Sequence, residues 1–172
     1  MRRLSRRRAL GASALAALWG ACGSGSKLAK SAHQMGERVQ VGPLIYSIIE
    51  ADWHNDLPSK NTSRIPQGKY CVIRLSITNA GNKDATIPLL NLEDEKGTGY
   101  LELTEGEGIE EWLGILRSLN PAETLQGRIL FDVRPGNYSL RVTDGGEPDL
   151  EKTERVTVPF IIKDTEIPTS IR

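Results

Sequence analysis

The chain has 172 residues with 22 basic and 22 acidic side chains, so its formal net charge is zero. This length suffices for one domain with its own hydrophobic core and argues against two. Five arginines lie within the first eight residues, and without them 17 basic side chains face 22 acidic ones, a net charge of −5. A main body of that sign disfavours nucleic acid as a partner.

The first 21 residues have the order of a bacterial export signal. A basic head that includes Arg6 and Arg7 precedes an apolar run from Ala9 to Ala21, and Cys22 follows directly. That run is too short and too rich in small residues for a membrane-spanning helix. Arg6 and Arg7 resemble a twin-arginine signal, and the small residues before Cys22 resemble a lipoprotein signal, in which the cysteine is acylated. We expect residues 1–21 to be a signal peptide and Cys22 to carry lipid; general secretion, a conventional secretory signal and an uncleaved anchor are the alternatives.

The next stretch predicts a spacer before the folded domain. Residues 22–36 contain little apolar surface after Cys22, which is typical of a flexible tether, and His33 within it is expected to be solvated. The folded domain is predicted over residues 37–163, with a tail at 164–172. Once Cys22 is acylated, Cys71 is the single remaining cysteine, so no intramolecular disulfide can form.

Alternating apolar and polar residues, separated by Gly, Pro and Asn turns, predict a series of short β-strands. The clearest is Lys69–Thr78, in which Cys71 and the apolar residues at every second position share a buried face. The alternation slips after Ile48, which indicates a β-bulge, and Pro88 places its strand at a sheet edge or next to a bulge. The other predicted strands are Glu37–Val41, Leu44–Trp53, Ala85–Leu92, Leu125–Val133, Tyr138–Val142 and Val156–Ile162.

One segment has the period of a helix. Between Ile109 and Leu119, apolar residues that include Trp112 and Leu116 recur at intervals of three or four positions, and Pro121 ends the run. This predicts one short helix inside a crossover, Gly97–Leu119, between two sheets. Trp112 and Leu116 are expected to pack that helix onto the sheets; the alternative is an exposed patch that binds a partner.

These elements predict an all-β fold, an antiparallel β-sandwich of about seven to eight strands with one short helix in the crossover. A small closed barrel is the alternative.

Three stretches resemble a known family. They are residues 35–48 (MGERVQVGPLIYSI), 68–81 (GKYCVIRLSITNAG) and 119–133 (LNPAETLQGRILFDV). They are similar to the strand and turn motifs of an immunoglobulin-like domain of unknown function on bacterial lipoproteins, partly catalogued under a telomeric-repeat-binding-factor heading. The resemblance implies an immunoglobulin-like sandwich over most of the chain and a setting in the cell envelope, and it brings no catalytic residues. Ala122 departs from the family pattern, which has glycine there.

Catalytic motifs are absent from the sequence. It contains no Gly-x-Ser-x-Gly nucleophile motif, no phosphate-binding glycine loop and no zinc-type Cys/His spacing. We therefore expect no enzymatic activity and no cofactor.

Two groups of polar residues are candidate sites. Asp52, His54 and Asp56 would share one strand face and form a weak candidate metal site, although a polar strand end is the simpler interpretation. The second group is an acidic cluster near the predicted helix, which is expected to be a solvated face: Glu102, Glu105, Glu107, Glu110 and Glu111. The alternative is a surface that binds a partner, through Glu105, Glu107, Glu110 and Glu111.

Together the patterns predict an exported, membrane-anchored lipoprotein that acts as a non-enzymatic binding or accessory module at the bacterial cell envelope. It would face the periplasm or the exterior and hold a protein partner there. The alternatives are a protease inhibitor that presents a surface loop, and a metal-handling envelope protein that uses Asp52, His54 and Asp56.

Overall fold

The structure, a computed structural model, describes residues 32–58, 63–147 and 149–161. The predicted signal peptide, Cys22, most of the predicted tether and the tail at 164–172 lie outside the described residues.

The described residues form twelve strands and no helix. In chain order the strands are β1 (Arg38–Val41), β2 (Leu44–His54), β3 (Leu57–Pro58), β4 (Ser63–Arg64), β5 (Lys69–Asn79), β6 (Ala85–Thr86), β7 (Asn91–Glu93), β8 (Gly99–Leu101), β9 (Ser118–Leu119), β10 (Thr124–Val133), β11 (Tyr138–Thr143) and β12 (Thr153–Val158).

Two four-stranded sheets make up the body of the fold. The first has the order β1-β2-β5-β10 and the second the order β12-β11-β7-β8, and all neighbouring strands are antiparallel. The pairs β3-β4 and β6-β9 form two small additional ladders. The predicted all-β sandwich is therefore confirmed, and the predicted crossover does connect the second sheet, at β8, with the first, at β10.

The core lies between the two sheets because alternate residues of both point inward. Cys71 and its period-two neighbours in β5 are fully buried, as the alternation predicts. Tyr46 joins the two sheets directly, since its hydroxyl donates to the Thr143 carbonyl oxygen at 2.6 Å. Burial raises the pKa of Tyr46 well above its usual value, against smaller opposing effects from this bond and from Arg117.

The predicted bulge is confirmed, and it determines which residues of β2 face outward. The pairing of β2 with β5 shifts between Ile48 and Glu50. Beyond the shift Ala51 and Trp53 pack against the core, so Asp52 and His54, on the opposite parity, lie on the outer face of the first sheet.

The predicted helix is wrong. Residues 102–117 form turns and irregular backbone, with left-handed φ angles of +83° at Gly108, +54° at Glu111 and +70° at Gly114. A right-handed helix cannot accommodate these angles. The apolar residues of the run accordingly diverge: Leu113 packs on the main core, whereas Leu116 is 93% exposed.

Three boundaries also differ from the prediction. Pro88 lies in no strand, because the predicted strand is divided into β6, in the small ladder with β9, and β7, in the second sheet. The last strand ends at Val158, before Pro159, and the predicted end at Ile162 lies outside the described residues. His33 is not a solvated tether residue: its backbone pairs with β12, donating to the Arg155 carbonyl oxygen at 2.8 Å and accepting from Thr157 N at 2.7 Å.

Candidate functional site

A buried ion pair holds the two ends of the crossover together. The side chains of Glu102 and Arg117 are both 0% exposed, and the Arg117 guanidinium donates to both Glu102 oxygens. Glu102 Oε2 also accepts from Leu90 N at 3.2 Å, and Arg117 Nε donates to the Gly114 carbonyl oxygen at 2.7 Å. Burial raises the pKa of Glu102, and the Arg117 guanidinium opposes that rise. The pair fixes where the irregular segment begins and ends.

Backbone hydrogen bonds fasten the crossover along β10. Leu103 N donates to the Leu130 carbonyl oxygen at 2.7 Å, and Leu113 N donates to the Arg128 carbonyl oxygen at 3.0 Å. Arg128 N in turn donates to the Glu111 carbonyl oxygen at 2.9 Å. The segment between the sheets is therefore held at several points, although it has no regular structure of its own.

Two glycines let the crossover lie close to its neighbours. A Cβ on Gly106 would clash with the Trp112 ring, so the ring packs directly against this backbone. A Cβ on Gly108 would lie 2.2 Å from the Pro58 carbonyl oxygen, so the crossover touches β3 at this point. Both contacts require the absence of a side chain.

A small hydrophobic cluster lies under the crossover, on the outer face of the first sheet. It consists of Leu57, Tyr70, Val72 and Leu130, with Leu103 and Ile109 packed against it. The crossover thus covers part of a sheet face that an isolated sandwich would expose to water.

A cavity of about 260 Å³ opens where the end of β2, β3 and the crossover meet. It brings the two sequence-predicted groups together, because Glu110 of the acidic group lines the same cavity as the whole Asp52, His54 and Asp56 group. The remaining lining residues are Leu57, Pro58, Val72, Gly108, Ile109 and Arg128.

The geometry does not support the weak metal candidate. Across residues 32–58, 63–147 and 149–161, no three His, Cys, Asp or Glu side chains converge closely enough to hold a metal ion. Asp52, His54 and Asp56 share a cavity wall and are not arranged as a ligand set.

The exposed side chains of the crossover include both acids and apolar residues. Glu105, Glu107, Glu110 and Glu111 are all exposed. Ile115 is 48% exposed and Leu116 93%, so the expectation that Leu116 packs into the core is wrong; Trp112 is half-buried. We call these four acids, Ile115, Leu116 and the 260 Å³ cavity the crossover surface.

A second cavity, of about 350 Å³, lies between the turn after β7 and the turn before β11. Its main carboxylate, Asp94, is engaged by its own turn, accepting from Lys96 N at 2.9 Å and Thr98 N at 2.8 Å. The bond from Thr98 N is the largest effect that lowers the pKa of Asp94. Asp94 therefore stabilises the turn between β7 and β8, and the crossover surface is the stronger candidate for a binding site.

Several solved structures are similar in fold. A candidate lipoprotein (ycdA) from Bacillus subtilis matches 73% of this chain and 39% of its own, with 16% identity and a TM-score of 0.55. A functionally unknown protein from Listeria monocytogenes matches 76% of this chain and 85% of its own, with 10% identity and a TM-score of 0.54. The yjhA protein from Bacillus subtilis matches 65% and 81%, with 16% identity and a TM-score of 0.52. At these identities the likeness shows the fold alone.

Two further findings bear on identity. No curated protein matches the chain, and within the part that the structure describes no helix is long and apolar enough to cross a membrane. A family model described as "Domain of unknown function (DUF4352)" matches residues 33–153. Because that match covers most of the sequence, the chain belongs to the DUF4352 family.

Proposed function

We propose that this protein is a binding module without enzymatic activity, held at the bacterial cell envelope by lipid on Cys22, which captures a protein partner through the crossover surface. The observation that carries this proposal is the construction of the crossover. An irregular segment with a buried ion pair and several bonds to β10 keeps exposed acids and apolar residues in fixed positions. Binding residues commonly lie on such loops, which a rigid scaffold positions.

The envelope setting rests on the N-terminal pattern and on the name of one protein of similar fold. The basic head, the apolar run and Cys22 resemble a lipoprotein signal, and one protein of similar fold is named as a candidate lipoprotein. The finer description of the sandwich as immunoglobulin-like is part of the same proposal, supported by two antiparallel four-stranded sheets and by the three sequence motifs.

Partner capture provides the main test. The tagged protein is cross-linked in its native membranes, purified, and compared with a variant in which Glu105, Glu107, Glu110 and Glu111 are changed to Gln. We expect the cross-linked partner to be reduced at least tenfold, because the variant removes the negative charge that attracts a basic surface. A matched control removes four exposed acids elsewhere, at Asp84, Glu95, Glu147 and Asp149, and should leave capture unchanged.

Two results would contradict the proposal. If both quadruple variants capture the same partner equally well, the crossover surface is not the binding surface. If the purified protein turns over a substrate and His54→Ala abolishes that turnover, the protein is an enzyme.

The anchor has its own test. The Cys22→Ser variant should move from the membrane fraction to the soluble fraction, and the N-terminal peptide of the wild type should carry acyl mass. An unmodified Cys22 peptide in soluble protein would contradict lipidation.

One observation favours a second candidate function, protease inhibition. The apolar side chains of Ile115 and Leu116 protrude from a turn whose flanks are fixed by Leu113 and Arg117, and an ordered protruding loop is what an inhibitor presents to a protease. If this is the function, nanomolar protein should inhibit a protease of the envelope, and Leu116→Asp should abolish the inhibition while leaving the fold intact.

A further inference from the structure

We propose that the 260 Å³ cavity receives one lysine or arginine side chain of the captured protein. The inference rests on the proposed function and names the chemistry by which the partner is recognised. It follows from the size of the cavity, the position of its apolar surface and the balance of its charges.

The size of the cavity favours a single side chain. Sites for complete small molecules usually enclose about 300 to 1,000 Å³ and surround most of the ligand. This cavity is smaller, about 260 Å³, and it opens on the outer face of the sheet. One extended side chain from a partner protein can fill such a space, whereas a metabolite would remain largely outside it.

The apolar part of the cavity lining is suited to an aliphatic stem. It includes Leu57 and Val72, which are 4% and 6% exposed, and the half-buried Ile109, and all three belong to the outer hydrophobic cluster. Lysine and arginine carry three or four methylene groups that pack on apolar surface while the charged end stays near water.

The charges of the cavity favour a cation. Asp52, Asp56 and Glu110 contribute three carboxylates to the lining, and Arg128 contributes one guanidinium. Arg128 already has partners in the crossover, since its Nη1 lies 3.5 Å from the Glu111 carboxylate and donates to the Glu110 carbonyl oxygen at 3.0 Å. With three acidic residues and one arginine, the lining carries more negative than positive charge, which favours a cation.

Other occupants fit less well. An uncharged apolar side chain would displace water from the carboxylates and offer them no hydrogen bond. An anion would meet three like charges at close range.

The test uses isolated side chains as probes on the purified full chain. N-acetyl-lysine methylamide and N-acetyl-arginine methylamide are titrated while protein NMR shifts are followed, with the norleucine and glutamate analogues as controls. We expect shifts of residues around the cavity with millimolar affinity for the basic probes only. The double variant Asp52→Asn/Asp56→Asn should weaken binding of the basic probes at least tenfold. The single variant Glu110→Gln should weaken it about threefold. The control Asp84→Asn/Glu147→Gln should bind like the wild type.

Three results would overturn the inference: binding of the norleucine analogue as tight as that of the lysine analogue, binding of the glutamate analogue, or unchanged affinity in the cavity variants. If the double variant does not fold, two other measurements decide the question: the affinity of the Glu110→Gln variant for the basic probes, and the affinity of the wild type at 50 and 500 mM salt, which should fall as the salt rises. Cross-linked capture that depends on the crossover acids but resists an excess of both basic probes would refute the inference and leave the proposed function standing. Specific probe binding without any capture would refute the proposed function, and with it a captured protein as the source of the side chain, but not the preference of the cavity for a basic side chain.

Discussion

Removing one partner of the Glu102–Arg117 pair should destabilise the protein more than any other single charge change described above. Both side chains are fully buried, and breaking a buried ion pair typically costs about 3–5 kcal/mol because a desolvated charge remains. Arg117→Met would leave the Glu102 carboxylate with its hydrogen bond from Leu90 N but without the guanidinium, and would remove the bond to the Gly114 carbonyl oxygen. We therefore expect Arg117→Met and Glu102→Met each to lower the free energy of unfolding by about 3–5 kcal/mol.

The double variant separates the pair from its surroundings. Replacing both residues by Met leaves neither charge buried, so the loss should be at least about 2 kcal/mol smaller than the sum of the two single losses. The assay is urea denaturation followed by tryptophan fluorescence, with all three variants and the wild type in one cycle. In a folded body of this size, the single variants should also lose about 10–20 °C in Tm.

A surface pair supplies the control. Arg155 and Glu93 pair with 51% and 16% side-chain exposure, and Arg155→Met should cost less than about 1 kcal/mol. The reasoning would be refuted if Arg117→Met cost no more than Arg155→Met, or if the double variant lost as much as the two single variants together.

Three further predictions concern other parts of the fold. Ala122 has a φ of +64° at the third position of the turn Asn120–Glu123, where glycine is unstrained, so Ala122→Gly should raise the free energy of unfolding by about 1 kcal/mol. The control Ala80→Gly, at an exposed alanine outside the left-handed region, should lower it; a loss at both positions in urea denaturation would contradict the strain argument. Burial first, and then Asp52, raise the pKa of the Cys71 thiol from 9.0 to about 12. The folded protein should therefore resist thiol reagents at pH 8, where the denatured protein reacts. The contribution of the buried Cys71 thiol to stability should be lost as the pH rises from about 9 to about 12, because the thiol of the unfolded chain ionises first. Fast labelling of native protein would show that the face of β5 is assigned wrongly. Finally, we expect a small effect on stability when four exposed acids are changed to Gln: Glu105, Glu107, Glu110 and Glu111. The urea midpoint should shift by the equivalent of less than about 1 kcal/mol, and a large loss of stability would show that these residues are structural.

Local patterns predicted those parts of the fold that depend on neighbours in sequence. Alternation places Cys71 in the core, and a slip in that alternation after Ile48 locates the bulge within two residues of its observed position. Ala122 stands where the resembling motif has glycine, and its positive φ is one that glycine adopts without strain.

The crossover could not be predicted in this way, because its conformation depends on distant residues. Helical spacing from Ile109 to Leu119 reflects three unrelated environments: the outer cluster for Ile109, the main core for Leu113 and solvent for Leu116. Glu102 looked like one more acid of an exposed group. Its burial depends on Arg117, and no local pattern distinguishes such an arginine from a solvated one.

The site was predicted in pieces. The acidic group and the group at Asp52, His54 and Asp56 were each visible in the sequence. Nothing in the sequence indicated that Glu110 of the acidic group would line one cavity together with Asp52, His54 and Asp56. That contact depends on the bulge in β2 and on the approach of Gly108 to Pro58.

The pairing of His33 with β12 and of the crossover with β10 has a consequence for how another protein can attach. Unpaired outer strands invite a foreign strand to add to the sheet, which is a common route to both peptide capture and aggregation. In this fold β10 and β12 have their outer backbone groups partly occupied by the chain itself. The outer strands without such cover, β1 and β8, have four and three residues. Within the described residues, a partner that extends a sheet at β1 or β8 could form only a few backbone hydrogen bonds. The proposed partner is therefore expected to bind through side chains, and identical copies have little backbone at these two edges through which to polymerise.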